Sequence, residues 1–187
     1  MQTAFAIIRG ERRIFYRFWC LIMSAVDVSL LLMFLALPGL FLLAGIYDVL
    51  TTRIPDWISV LLIVFFCLYA WLQSFTWANF GLHWGVAFIV FVAGFVAFTL
   101  RWMGGGDGKL ASAGALWFGP DLAPSFIILS FMFGGLLVLA VYVMRSITLP
   151  NIVQQQSWLM RWIKGGEGLP FGLAMAGAVF ALLYIEH

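Results

Sequence analysis

Residues 57–100 read WISVLLIVFFCLYAWLQSFTWANFGLHWGVAFIVFVAGFVAFTL, and no Asp, Glu, Lys or Arg interrupts them. A bilayer-spanning helix needs about 20 consecutive, mostly apolar residues. This stretch is long enough for two, and the polar run Gln73, Ser74, Asn79 and Gly81 places the turn between them. On its N-terminal side, residues 28–47 are also uncharged and read as a span. On its C-terminal side, residues 110–144 carry one charge, Asp121, beside the breakers Gly119, Pro120 and Pro124. That pattern predicts a short helix up to the turn and a full span after it. Residues 169–185, short and rich in Gly and Ala, read as the last span. The expectation is an all-α, polytopic membrane protein of about six transmembrane helices. Its membrane domain covers 28–187, and a basic segment, 1–27, precedes it.

Composition points the same way. Of the 187 residues, 64% are hydrophobic and 10% charged, whereas a soluble domain is nearer half apolar and a quarter charged. So much apolar surface cannot be hidden in one small core. The formal net charge of +2 says less than where the charges fall. Cys20 and Cys67 lie in apolar stretches without a CxxC pair, so they read as buried small hydrophobes and not as a zinc site. The N-terminal arginines are not followed by a clear small-residue cleavage site, so insertion is expected to rest on the spans themselves.

The loops at 48–56, 101–109 and 145–168 hold Arg53, Arg101, Lys109, Arg145, Arg161 and Lys164, while those near 73–84 and 119–124 hold no Lys or Arg. The positive-inside rule makes the first set cytoplasmic. One feature disagrees. Six spans with this orientation put the N-terminus outside, yet that tail carries Arg9, Arg12, Arg13 and Arg17. The internal loops agree with one another and carry more weight. Residues 1–26 then read as a basic amphipathic helix or a turn reaching back into the membrane. The stretch 151–164 mixes Trp158, Trp162 and Ile163 with Arg161 and Lys164, which suits either an interfacial segment or a loop anchored by aromatic residues.

Ionisable residues near membrane depth are costly and are functional candidates. Asp48 closes the first span, where a polar stop residue is ordinary. Asp107 follows Gly104, Gly105 and Gly106; a plain reading makes it the cap of the helix that starts near Lys109. Glycines in such a place also let another chain approach closely. Taken together the two are more telling. Each lies where a hydrophobic helix ends, at the same expected face, beside a loop bearing a base. Two carboxylates held close do not both ionise cheaply; one keeps its proton while the other activates water. That arrangement hydrolyses an amide without a metal or a covalent nucleophile. No competing set is present. His83 and His187 are far apart, and the spacing from Gly104 to Lys109 is wrong for a P-loop. No metal or cofactor is expected. Asp27 and Asp121 read as helix ends on the outer face.

The string Gly104-Gly105-Gly106-Asp107 fits the GxGD motif of membrane aspartic proteases, and Gly-Gly-Asp-Gly-Lys-Leu at 105–110 resembles the version in type IV prepilin peptidases. Asp48 with Arg53, Ile54 and Pro55 resembles that family's other half-site, although Asp56 stands where the family often has Asn. The segments 113–119 and Pro170-Phe171-Gly172-Leu173-Ala174 resemble the small peptidases of Tad-type pilus systems. The likeness runs from about residue 28 to the end. It implies that Asp48 and Asp107 are the catalytic pair, with Gly104, Gly105 and Gly106 shaping the loop and Lys109 and Arg53 supporting it. For both bases, an ordinary positive-inside role is the plain alternative.

The resemblance further implies cleavage of the short basic leader of prepilins or pseudopilins at the cytoplasmic face of a bacterial inner membrane. Lipid is then a constant partner, and nucleic acid is not one. The larger relatives also methylate the new N-terminus and carry a cysteine-containing cytoplasmic domain. No such insertion or cysteine pairing is present in this sequence, so methyl transfer is not expected. Two other classes share some of these features. A small transporter component also uses broken helices and carboxylates, but near the midplane and often with an internal repeat. A non-catalytic pilus assembly factor would not need the aspartate pair.

Overall fold

The computed structural model describes residues 28–146 and 170–185; the basic segment, Cys20, Asp27, His187 and the stretch 151–164 lie outside them. Among the described residues, five helices follow one another. They are α1, Val28–Thr51, α2, Asp56–Leu72, α3, Trp77–Thr99, α4, Gly105–Ser146, and α5, Phe171–Ile185. Among the described residues there is no strand, and the all-α expectation holds. By length and composition, three helical runs suffice to cross a membrane: Val28–Thr51, Trp77–Thr99 and Gly105–Met144. The helices α2 and α5 are shorter and equally apolar.

The run α4 is two helices in space. At Gly119 the backbone leaves the helix with φ 62° and ψ −168°, a left-handed conformation that favours glycine. A Cβ at Gly114 would lie 2.6 Å from the ring of Phe126, and Phe118 stacks on Phe126 with ring centroids 5.1 Å apart. In a straight helix, residues 114 and 126 would be about 18 Å apart. The chain therefore folds back at Gly119, giving an N-terminal arm (105–118) and a C-terminal arm (120–146). Among the described residues six helical segments result, with the break where Gly119 and Pro120 predicted it.

Proline explains the break. Pro120 has no N–H to offer the carbonyl of Leu116 four residues earlier. His83 of α3 supplies the missing partner, its Nδ1 lying 2.8 Å from that carbonyl oxygen. The carbonyl can only accept, so Nδ1 carries the proton. The imidazole stacks on Phe66 and meets Phe75 edge-on, within an aromatic cluster that includes Trp117. In α1, the wide π-helical turn Leu32–Ala36 comes directly before Pro38, whose ring would crowd a tighter preceding turn.

Lipid is as apolar as leucine, so membrane helices associate through close packing and hydrogen bonds. Both are present. A Cβ at Gly94 would sit 2.9 Å from the Cα of Gly108, where α3 crosses the N-terminal arm of α4. One at Gly45 would sit 3.0 Å from the Cα of Leu173, where α1 crosses α5. Ser112 donates to the carbonyl of Ala87 at 3.0 Å, and the Trp117 indole donates to that of Leu62 at 2.9 Å. Phe41, Phe66, Phe126, Leu110 and Met175 fill the centre. Phe88, Ile89 and Phe95 face outward, as do Trp71 and Trp77 at one end and Trp57 and Trp102 at the other. Aromatic residues at both ends mark the two interfaces of a bilayer. Cys67, expected to be buried, is exposed on α2; its face of the helix turns to lipid rather than to protein.

Candidate active site

The two glycine crossings bring Asp48 and Asp107 to one end of the bundle. Asp48 lies one turn beyond Gly45 and Asp107 directly precedes Gly108. After Asp48, α1 stops within a turn. Thr52 adopts a left-handed conformation (φ 56°) and its N–H closes on the Asp48 carbonyl at 2.8 Å. The Thr51 hydroxyl donates to the Tyr47 carbonyl at 2.7 Å. Pro55, with extended backbone (φ −65°, ψ 133°), leads into α2 as its N-cap.

Asp48 is only 6% exposed. Its Oδ2 accepts the backbone N–H of Gly172 at 2.8 Å. Gly172 is the second residue of α5, so this N–H is one that the helix itself leaves unpartnered, and the positive end of α5 faces the carboxylate. Asp107 stands in the first turn of α4 and is half-buried. Its Oδ2 accepts the N–H of Gly104 at 3.1 Å, the reach-back half of a capping box. Asp107 thus caps its own helix. Both carboxylates engage a helix N-terminus through Oδ2, and among the described residues no donor is bonded to either Oδ1. The two are close enough to interact electrostatically.

Ile54 sets their spacing. A Cβ at Gly106 would lie 3.1 Å from the Ile54 Cβ, and one at Gly172 would lie 3.2 Å from its Cδ1. The side chain is wedged between the residue before Asp107 and the residue that holds Asp48. Gly105 turns toward Phe98, 3.4 Å from where its Cβ would be. Lys109 pairs with Asp56 at 2.7 Å, both side chains being largely exposed. Asp56, which stands where the resembled family often has Asn, is therefore the partner of the motif's lysine. Arg53 is exposed, and its carbonyl oxygen lies 3.0 Å from the Thr51 hydroxyl. Asp121 is exposed beside the Gly119 break, at the other end of the bundle.

A cavity of about 520 Å³ adjoins Asp107, between the loop at Trp102–Gly104, the C-terminal arm of α4 and the start of α5. Among the described residues, no group of three or more His, Cys, Asp or Glu side chains is placed to hold a metal ion. Sequence reasoning did not assign a role to Gly172 or to Ile54. The only signal for either was its place inside a motif, Pro170–Ala174 for the first and Arg53–Pro55 for the second.

The site carries two acids and an apolar cavity at one end of an apolar bundle, which suits hydrolysis of a bond at a membrane surface. A model of the type IV leader peptidase family matches residues 34–139, more than half of the chain, and takes in both Asp48 and Asp107. No curated protein and no solved structure matches the chain.

Proposed function

The chain belongs to the type IV leader peptidase family, and on that premise we propose that it is an aspartic endopeptidase that cuts the basic leader from prepilins or pseudopilins. The observation that carries this reading is the convergence of Asp48 and Asp107, each held through one oxygen at a helix N-terminus. Water between the two Oδ1 atoms gives a proton to the ionised carboxylate as it attacks the scissile carbonyl. The protonated partner donates to the carbonyl oxygen, and the leaving nitrogen takes up a proton as the C–N bond breaks. Neither Asp acts as a covalent nucleophile.

The cut is made on the cytoplasmic side of a bacterial inner membrane, which the protein crosses several times. Supporting this, Arg53, Arg101 and Lys109 lie at the end of the bundle that holds both aspartates, and the turns at 73–76 and 119 carry no base. The segments 113–119 and 170–174 resemble those of the small Tad-type peptidases, and we assign the chain to that type. Methyl transfer to the new N-terminus is not part of the reading, since neither Cys20 nor Cys67 belongs to a CxxC pair. The test is cleavage of a co-expressed prepilin, read by gel shift and fragment mass, for wild type, Asp48→Asn and Asp107→Asn. The reading requires a single cut after the leader by wild type and none by either variant at equal membrane levels. Cleavage that survives in either variant removes that aspartate from the pair.

A further inference from the structure

The cavity beside Asp107 has a shape that the two-acid chemistry alone does not require. It starts at Trp102 and descends along the C-terminal arm of α4 from Val138 to Phe131, about 10 Å of helix. Among the described residues, Asp107 is the only charged group in its lining. Its volume, about 520 Å³, is that of a ligand site rather than of a packing gap. Phe171 closes the inner side against Gly134, where a Cβ would lie 2.7 Å from its ring. The neighbouring glycine differs. A Cβ at Gly135 would have no atom within 4 Å, so the missing side chain of Gly135 is part of the empty volume. Phe131 and Val138, which line the cavity, are themselves 62% and 50% exposed on the apolar surface of the arm, so the cavity is open to an occupant arriving within the bilayer.

We propose that this cavity is the subsite for the apolar stretch of the substrate that follows the cut bond, and that Gly135 determines how large a side chain it accepts. The inference rests on the leader-peptidase reading. A substrate with a basic leader divides at the cut into a part that stays in water and a part that stays in lipid. The cavity has apolar walls, meets the carboxylate at its upper end and opens to lipid at its side, so it matches only the second part. Gly135 is helical without strain, and a larger residue there fills the subsite without meeting backbone.

The experiment uses one prepilin in two forms, with Phe or Ala as the first residue after the cut, and the full-length enzyme in proteoliposomes. Initial rates at limiting substrate are compared for wild type, Gly135→Ala and Gly135→Phe, with thermal unfolding as the check on folding. Gly81→Phe, at another glycine with open space around it, is the control for a bulky residue on the lipid face. The ratio of the Phe to the Ala rate should fall stepwise from wild type through Gly135→Ala to Gly135→Phe, by about tenfold or more at the last, and hold in Gly81→Phe. An unchanged ratio in Gly135→Phe overturns the subsite. So does an equal loss on both substrates, which would mean that lipid fills the cavity. If wild type cuts neither form, the peptidase reading itself fails.

Discussion

The backbone N–H of Gly172 donates to Oδ2 of Asp48 across 2.8 Å, joining residues 124 positions apart. The contact sets the position of α5 against α1, and it fixes which oxygen of Asp48 is left for chemistry. Space there is tight. A Cβ at Gly172 would lie 3.1 Å from Oδ2, 3.3 Å from the Asp48 Cβ and 3.2 Å from Ile54.

Gly172→Ala should therefore displace the carboxylate by a few tenths of an ångström while leaving the N–H in place. We expect prepilin cleavage to slow by roughly tenfold to a hundredfold, since small misplacement of a catalytic group is expensive. Single-turnover rates at matched membrane levels check this. A wild-type rate would show that the Gly172 contact does not position Asp48 for the cut.

Asp107→Asn separates capping from catalysis. The Asn side-chain oxygen still accepts the Gly104 N–H, so the start of α4 should hold, while acid–base chemistry is lost. The expected result is a thermal unfolding midpoint near that of wild type and cleavage reduced by about 10²-fold or more. Loss of stability to match the loss of activity would mean that Asp107 is mainly a cap.

His83→Leu removes the donor that satisfies Leu116 and leaves a buried carbonyl unpaired, at a cost of about 1–3 kcal/mol. Gly119→Ala should cost at least as much, because φ is 62° and the new Cβ would meet the His83 ring at 2.5 Å. Since that clash is with His83 itself, Gly119→Ala should do less harm in the His83→Ala background than in wild type. Thermal unfolding of the two single variants and the double variant, in one detergent, measures the coupling. Strict additivity would show that the two residues do not meet.

Lys109 and Asp56 form a pair that is largely exposed, and such pairs contribute only about 0–1 kcal/mol. Asp56→Asn, which restores the residue common in the family, should leave stability nearly unchanged and cleavage within about threefold. A hundredfold loss would show that Asp56 belongs with the catalytic pair.

Much of the fold was legible because lipid imposes a simple grammar. A charge-free run from Trp57 to Leu100 gave α2 and α3, and Gly119 with Pro120 gave the fold-back of α4. The positions of Asp48 and Asp107 at one end follow from counting spans between them. What could not be read is how the spans touch. Nothing in the sequence says that Gly172 pairs with Asp48, that Ile54 is the spacer, or that Lys109 meets Asp56 across 53 positions. Those contacts depend on which glycines face each other when helices cross, and apolar helices without a strong amphipathic stripe do not reveal their facing sides. His83 is a partial exception. A histidine in an apolar helix and a proline that strips a carbonyl of its donor were both visible, but not that one answers the other.

The fold-back of α4 has a consequence for the membrane around it. The N-terminal arm is about 21 Å long, and α5, with 15 residues, is about 22 Å, against roughly 30 Å of hydrocarbon. Both short elements are largely buried within the bundle, while α3 and the C-terminal arm of α4 carry much of the lipid-facing surface. Lipid therefore meets the long helices, and the two short ones are matched to the protein around them rather than to the thickness of the bilayer.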